Sequence, residues 1–105
     1  MSLAETKVRH EIKFSKPKKY CNIFYNNDKT PFDVVIYILI NIFNYTPHTA
    51  VEKAKEIHEH GSSNVFISSK SICDTKKKLV SEEQRKIDET HLKHTVELYS
   101  DDDED

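Results

Sequence analysis

Six histidines, eighteen carboxylates and two cysteines could supply acid, base, thiol or metal chemistry, and their spacing decides whether they do. His58 and His60 are two residues apart and leave a helix on different sides. His91 and His94 are one helical turn apart but lack acidic or thiol partners at zinc spacing. Cys21 and Cys73 belong to no C-x-x-C or Cys/His pattern, which predicts a reduced intracellular chain without a disulfide scaffold. Gly61 is the single glycine, so no Gly-rich phosphate loop can be built, and no nucleophile motif is present. The expectation is a protein that is not an enzyme and carries no metal or cofactor. Two further groupings stand out: a polar turn, Asn26-Asn27-Asp28, and two helix openings of identical grammar, Thr30-Pro31 and Thr46-Pro47.

The elements that position these residues can be read in order. Lys19 to Tyr25 is aromatic and β-branched, which suits a first strand, and the Asn-Asn-Asp turn stops it. Thr30 as N-cap, Pro31 at the first helical position and Asp33 near the helix dipole predict a helix to about Asn44. Its segment Val34 to Phe43 is apolar nearly all round, so this helix must be central to the core. A second helix runs from Pro47 to His60, with Gly61 able to take the left-handed conformation at its end. Val65 to Ile67 suits a short strand, Asp74 to Thr90 a weaker amphipathic helix, and Thr95 to Tyr99 alternates as a final strand. The order is β-α-α-β-α-β: an α+β domain, a small antiparallel three-stranded sheet packed with three helices.

The chain's 105 residues allow one core. With 36% hydrophobic and 32% charged residues the middle can fold while the ends look too polar to pack. We expect a flexible extension over 1–17, a core domain over 18–99 and a disordered acidic tail over 100–105. The net charge of −2 conceals an asymmetry, since residues 1–30 carry seven Lys/Arg against three Asp/Glu and residues 101–105 are all acidic. No dominant basic field invites nucleic acid. The longest apolar run, Val34 to Ile40, is far short of the roughly 18 residues of a membrane span, and Met1 to His10 lacks an apolar signal core.

The run Phe24-Tyr25-Asn26-Asn27-Asp28-Lys29-Thr30-Pro31-Phe32 resembles the signature of ClpS adaptors, an Asn-Asp-Asp-x-Thr-Pro-Met turn after the first strand. The likeness continues without a gap through the apolar helix, Phe43-Asn44-Tyr45 and a second helix ending Ile57-His58-x-x-Gly61. Ile72-Cys73-Asp74-Thr75-Lys76 is similar to the family's Val-Ala-Glu-Thr-Lys, and Leu92 to Glu97 to its closing Leu-x-Cys-Thr-Leu-Glu. Leu3 to Arg9 is also similar to the extension of some members.

The resemblance implies an adaptor that binds proteins whose first residue is Leu, Phe, Tyr or Trp, an N-degron, and delivers them to a Clp-type AAA+ unfoldase. Asn26, Asn27 and His58 match the family's polar ring around the α-ammonium, with Asp28 and Thr30 in the same turn. Phe32, Val35, Ala54 and Leu92 match the wall of the side-chain hole. On spacing alone these apolar positions read as plain core, although Phe32 and Val35 at i, i+3 and Ala54 and His58 at i, i+4 can each face one gap between two helices. The family's contacts to the unfoldase's N-terminal domain fall on Lys76, Ser71 and Lys29, where only Lys76 matches; Lys29 and Ser71 stand where other members often have Tyr and Glu. Within the pocket, Asn27 replaces an Asp, Phe32 a Met, and Ala54 a bulky Met. The resemblance further implies a monomer in the bacterial cytoplasm or, after removal of a targeting peptide, the stroma of a plastid-type organelle, with no nucleic-acid or membrane partner.

The rival reading is a small nucleic-acid-binding module using the N-terminal lysines with Tyr20, and Lys76-Lys77-Lys78. Lysines on a helix beside Glu82 and Glu83 are more commonly a solvated face.

Overall fold

The computed structural model describes residues 18–100; the expected extension and the residues 101–105 of the acidic tail lie outside the described residues. The elements follow in the order β1 (Lys19–Tyr25), α1 (Phe32–Phe43), α2 (Pro47–His60), β2 (Ser62–Ser68), α3 (Lys70–Lys86) and β3 (Lys93–Ser100), which is the expected α+β order. The sheet is antiparallel with the order β2-β1-β3, so the first strand is central. Cys21 stands opposite Ile67 on one side and Glu97 on the other, and the register against β2 shifts between Asn22 and Ile23.

A central strand is covered by its neighbours and by whatever packs on its face, and β1 accordingly supplies the fully buried Phe24 and Asn22. Asn22 is tolerated because its amide donates to the Cys73 carbonyl of α3 at 3.0 Å, tying sheet to helix. Around Phe24 the core gathers Val35, Ile38, Leu39 and Phe43 of α1, Ala50, Ala54 and Ile57 of α2, Val65, Val80 and Leu92. Phe43 meets Phe24 edge-on at 5.7 Å and Phe66 at 5.6 Å. Burial of each large side chain contributes about 1.5–3 kcal/mol, which makes α1 the element that anchors the rest.

Three sequence expectations need correcting. Thr30 does not cap α1: Pro31, extended at φ −61° and ψ 144°, is itself the N-cap without a side-chain cap bond, and its carbonyl accepts the Val34 N–H at 3.1 Å. Thr30 therefore sits one residue too early to reach the first turn, and Asp33 alone serves the dipole there. Thr46, by contrast, caps α2 as expected and Gly61 ends it at φ 89°. The third helix begins four residues before Asp74, because Ser69 accepts the Ile72 N–H, and it ends at Lys86, shortly before Asp88 turns left-handed at φ 56°. Its buried stripe is Cys73, Val80 and Gln84, while Leu79 is exposed. β2 and β3 are longer than their apolar cores suggested, since the flanking polar residues also pair with β1, and β3 takes in His94.

Candidate functional site

Where β1 ends, the Asn26 N–H donates to the Gly61 carbonyl at 2.8 Å. Gly61 can present that carbonyl because its left-handed conformation closes α2, with its own N–H returning to Ile57 at 2.9 Å. One bond thus splices the polar turn to the C-terminal end of α2, where His58 stands. The turn is locked twice more: the Asn27 side-chain oxygen accepts the Lys29 N–H at 2.7 Å, and the Asn27 carbonyl accepts the Thr30 N–H at 3.1 Å.

These constraints leave a cavity of about 290 Å³ between the turn, the start of α1, the last turns of α2 and the approach to β3. All nine residues expected at the pocket, Asn26, Asn27, Asp28, Thr30, Phe32, Val35, Ala54, His58 and Leu92, line it. Val35, Ala54 and Leu92 are buried and form an apolar floor; Asn26, Asp28 and His58 are exposed and form a polar mouth. Phe32 stands at that mouth, 45% exposed, so it is a lip and not core packing. Thr30 Oγ1 is shut from solvent and has no hydrogen-bond partner among the described residues.

Tyr25 and Ile57 also line the cavity and were not anticipated. Ile57 follows Ala54 by three residues, a spacing that assigns it equally to core and to pocket floor. Tyr25 is the last residue before the turn, a position that by itself carries no signal. Such a cavity lies at the lower edge of the roughly 300–1,000 Å³ typical of small-molecule sites, large enough for one residue with a polar head and an apolar side chain.

The three residues expected at a partner surface fall in two regions. Lys29 is exposed on the cavity turn, whereas Ser71 and Lys76 belong to α3. Ser71 is exposed and its carbonyl accepts the Thr75 hydroxyl at 3.0 Å. Lys76 Nζ donates to the Ile42 carbonyl at 2.7 Å and lies 5.8 Å and 5.5 Å from the Phe43 and Phe66 ring centres. A cation at the end of α1 satisfies a carbonyl that the helix leaves open. The Lys76-Lys77-Lys78 run thus does not present three equivalent ammonium groups, and the nucleic-acid alternative gains no support. Among the described residues no three His, Cys, Asp or Glu are placed to hold a metal ion, and no helix is long and apolar enough to cross a membrane.

Fold and cavity together define a small α+β binding domain with a polar-lipped, apolar-floored pocket for the end of a chain or a molecule of that size. Residues 15–95 match the family model described as ATP-dependent Clp protease adaptor protein ClpS. The chain is 37% identical over 78 residues to the ClpS adapter of Campylobacter jejuni, covering 74% of this chain and 81% of that one. It is 36% identical over 69 residues to the ClpS adapter of Clostridium acetobutylicum, covering 66% and 68%. The solved structure of Agrobacterium tumefaciens ClpS2 bound to L-phenylalaninamide matches with a TM-score of 0.74 at 26% identity, over 80% of this chain and 100% of that one. The chain belongs to the ClpS family of ATP-dependent Clp protease adaptors.

Proposed function

We propose that the cavity captures the first residue of a protein bearing a bulky hydrophobic N-terminus, and that the domain, itself without catalytic activity, delivers that protein to a Clp unfoldase. The observation that carries this reading is the convergence of a polar turn, a helix-end histidine and an apolar floor on one residue-sized hole. The relative's ligand, L-phenylalaninamide, has the same two halves, a free α-amino group and an apolar ring. Desolvating an ammonium is costly unless acceptors surround it. Asn26, Asn27 and His58 supply them at the mouth, with the Asp28 carboxylate and the Thr30 hydroxyl in reserve; Phe32, Val35, Ala54, Ile57 and Leu92 hold the side chain.

Lys76, Ser71 and Lys29 are assigned to contact with the N-terminal domain of a ClpA- or ClpC-like ATPase. Lys76 already donates one hydrogen to Ile42, so two remain for a partner. Residues 1–17 serve as a tether during delivery, and the domain acts as a monomer in a compartment that holds a Clp protease, the bacterial cytoplasm or a plastid-type stroma. A fluorescence titration tests the reading: a Phe-first peptide binds, and its N-acetylated form loses about a hundredfold or more, because several charge-assisted hydrogen bonds vanish together. Equal binding of the two forms would remove the ammonium site.

A further inference from the structure

We infer that Gln84 and Glu89 are positioning residues of the pocket: they grip the backbone of Leu92 from both sides, and His94 bonds the far end of the Gln84 amide and so steadies it. The inference rests on the reading of the cavity as a first-residue site. Neither Gln84 nor Glu89 lines the cavity, yet both are buried, at 7% and 8% exposure, where polar groups are costly unless bonded. Their bonds converge on the one residue of the apolar floor that comes from no helix. The Gln84 amide donates to the Leu92 carbonyl at 3.0 Å, and the Glu89 carboxylate accepts the Leu92 N–H at 3.4 Å and the His91 N–H at 3.3 Å. The Glu89 N–H in turn donates to the Gln84 carbonyl at 2.9 Å, so the two grips share one anchor.

Because the Gln84 nitrogen faces Leu92, its oxygen faces His94 Nε2 at 3.0 Å and must accept there. His94 then carries its hydrogen on Nε2, which suits a ring that burial keeps neutral by pushing its pKa down to about 4. A reversed amide would set two acceptors against each other at Leu92, so the Leu92 carbonyl fixes the amide and the amide in turn selects the His94 tautomer. The relay Leu92–Gln84–His94 therefore has one consistent orientation, and it holds the pocket wall at a fixed depth. Leu92 is a buried part of the floor, 4% exposed, so a shift in it would be felt more by a long ring than by a shorter side chain.

The test compares Gln84→Met, His94→Phe and the double variant on two peptides that differ only in beginning with Phe or Leu. Gln84→Met keeps the volume and removes the grip, so affinity for the Phe-first peptide falls about threefold to tenfold and that for the Leu-first peptide falls less. His94→Phe gives a smaller change in the same direction, and the double variant is no worse than Gln84→Met, because both act through Leu92. A merely structural role would scale both peptides alike. An unchanged Phe-to-Leu ratio in a folded Gln84→Met protein, with wild type binding both peptides, overturns the inference alone. Wild type that binds neither peptide overturns the pocket reading and the inference with it. Should Gln84→Met fail to fold, His94→Phe is read by the same ratio and hydrogen exchange of the Leu92 amide in wild type decides: protection like that of β3 supports the grip, and exchange at an open-loop rate overturns it.

Discussion

The pocket has two walls built by different means. The Asn26-to-Val35 wall is set by turn and backbone chemistry: an Asn side chain bonds two residues on, a turn closes from Asn27 to Thr30, a proline starts the helix, and the Asn26 N–H ties the turn to Gly61 at the end of α2. The Leu92 wall is set by buried side chains that no short motif marks: Gln84 of α3, Glu89, and His94 of β3 behind Gln84. In the proposed pocket both sides would meet the ligand, but only the second is held by polar side chains that do not themselves line the hole.

The largest expected effect that separates them is acid sensitivity. His94 packs edge-on to Phe24 of β1 at 6.1 Å, beside Ser81 and Gln84 of α3, with Lys77 of α3 adding a repulsive charge. Burial first and Lys77 second lower its pKa from 6.5 to about 4. A histidine depressed in the folded state contributes stability that is complete above the unfolded pKa near 6.5 and is lost as pH falls towards 4. The loss amounts to on the order of 2–3 kcal/mol after allowance for its partial contact with water. Urea unfolding at pH 7 and pH 4.5 checks it: wild type should weaken over that interval by more than His94→Phe does. Parallel losses in the two proteins would show that the distal wall carries no special acid sensitivity.

The same division governs what the sequence could disclose. The turn, both Thr-Pro helix openings and the Gly61 stop are local signals that mark the elements around the cavity, whereas the nine expected lining residues follow from the family resemblance, since spacing alone reads the apolar ones as core; one local signal misleads, for Thr30 reads as a cap by type, yet Pro31 takes that position. The third helix was misplaced by four residues at each end because its buried stripe includes Cys73 and Gln84, and a glutamine signals solvent until something buried needs its amide. Gln84, Glu89 and His94 escaped notice as a group for the same reason. Their partners are eight, three and ten residues away, brought together by a helix end and a strand pairing that no short motif encodes.

Selectivity sharpens the comparison on the local side. Ala54 is 3% exposed, belongs to the core and lines the cavity, while Phe32 stands at the mouth. Where family members carry a bulky Met at this helix position, the alanine leaves room beside the ligand's Cβ, where a β-branched side chain cannot rotate away. Discrimination between such similar apolar groups is worth only about 1–3 kcal/mol, so losing one obstacle removes most of it. Wild type should prefer Leu-first to Ile-first peptides by less than tenfold, and Ala54→Met should widen the gap. A wild type that already rejects Ile a hundredfold would transfer the gate to Phe32.

The smallest effect concerns Asn27. Its side-chain oxygen is taken up by the Lys29 N–H at 2.7 Å, which leaves one lone pair and an NH₂ group, itself a donor, for anything at the mouth. Facing an ammonium, that NH₂ has the wrong polarity. Asn27→Asp would keep the turn with one carboxylate oxygen and put a second, charged acceptor where the NH₂ was. A charge-assisted bond contributes about 1 kcal/mol more than a neutral one, which is a gain in affinity of somewhat under tenfold. Because Asn26 and Asp28 beside it are exposed, the added charge works in a partly aqueous setting. The gain should shrink as salt rises from about 0.05 M to 0.5 M, in line with the shortening screening length. Calorimetric titration of both proteins with a Phe-first peptide measures it. An unchanged or weakened affinity at low salt would mean that the Asp28 carboxylate already faces the ammonium and that a second negative charge repels the first; the polar wall would then be centred on Asp28, and Asn27 would serve only to lock its turn.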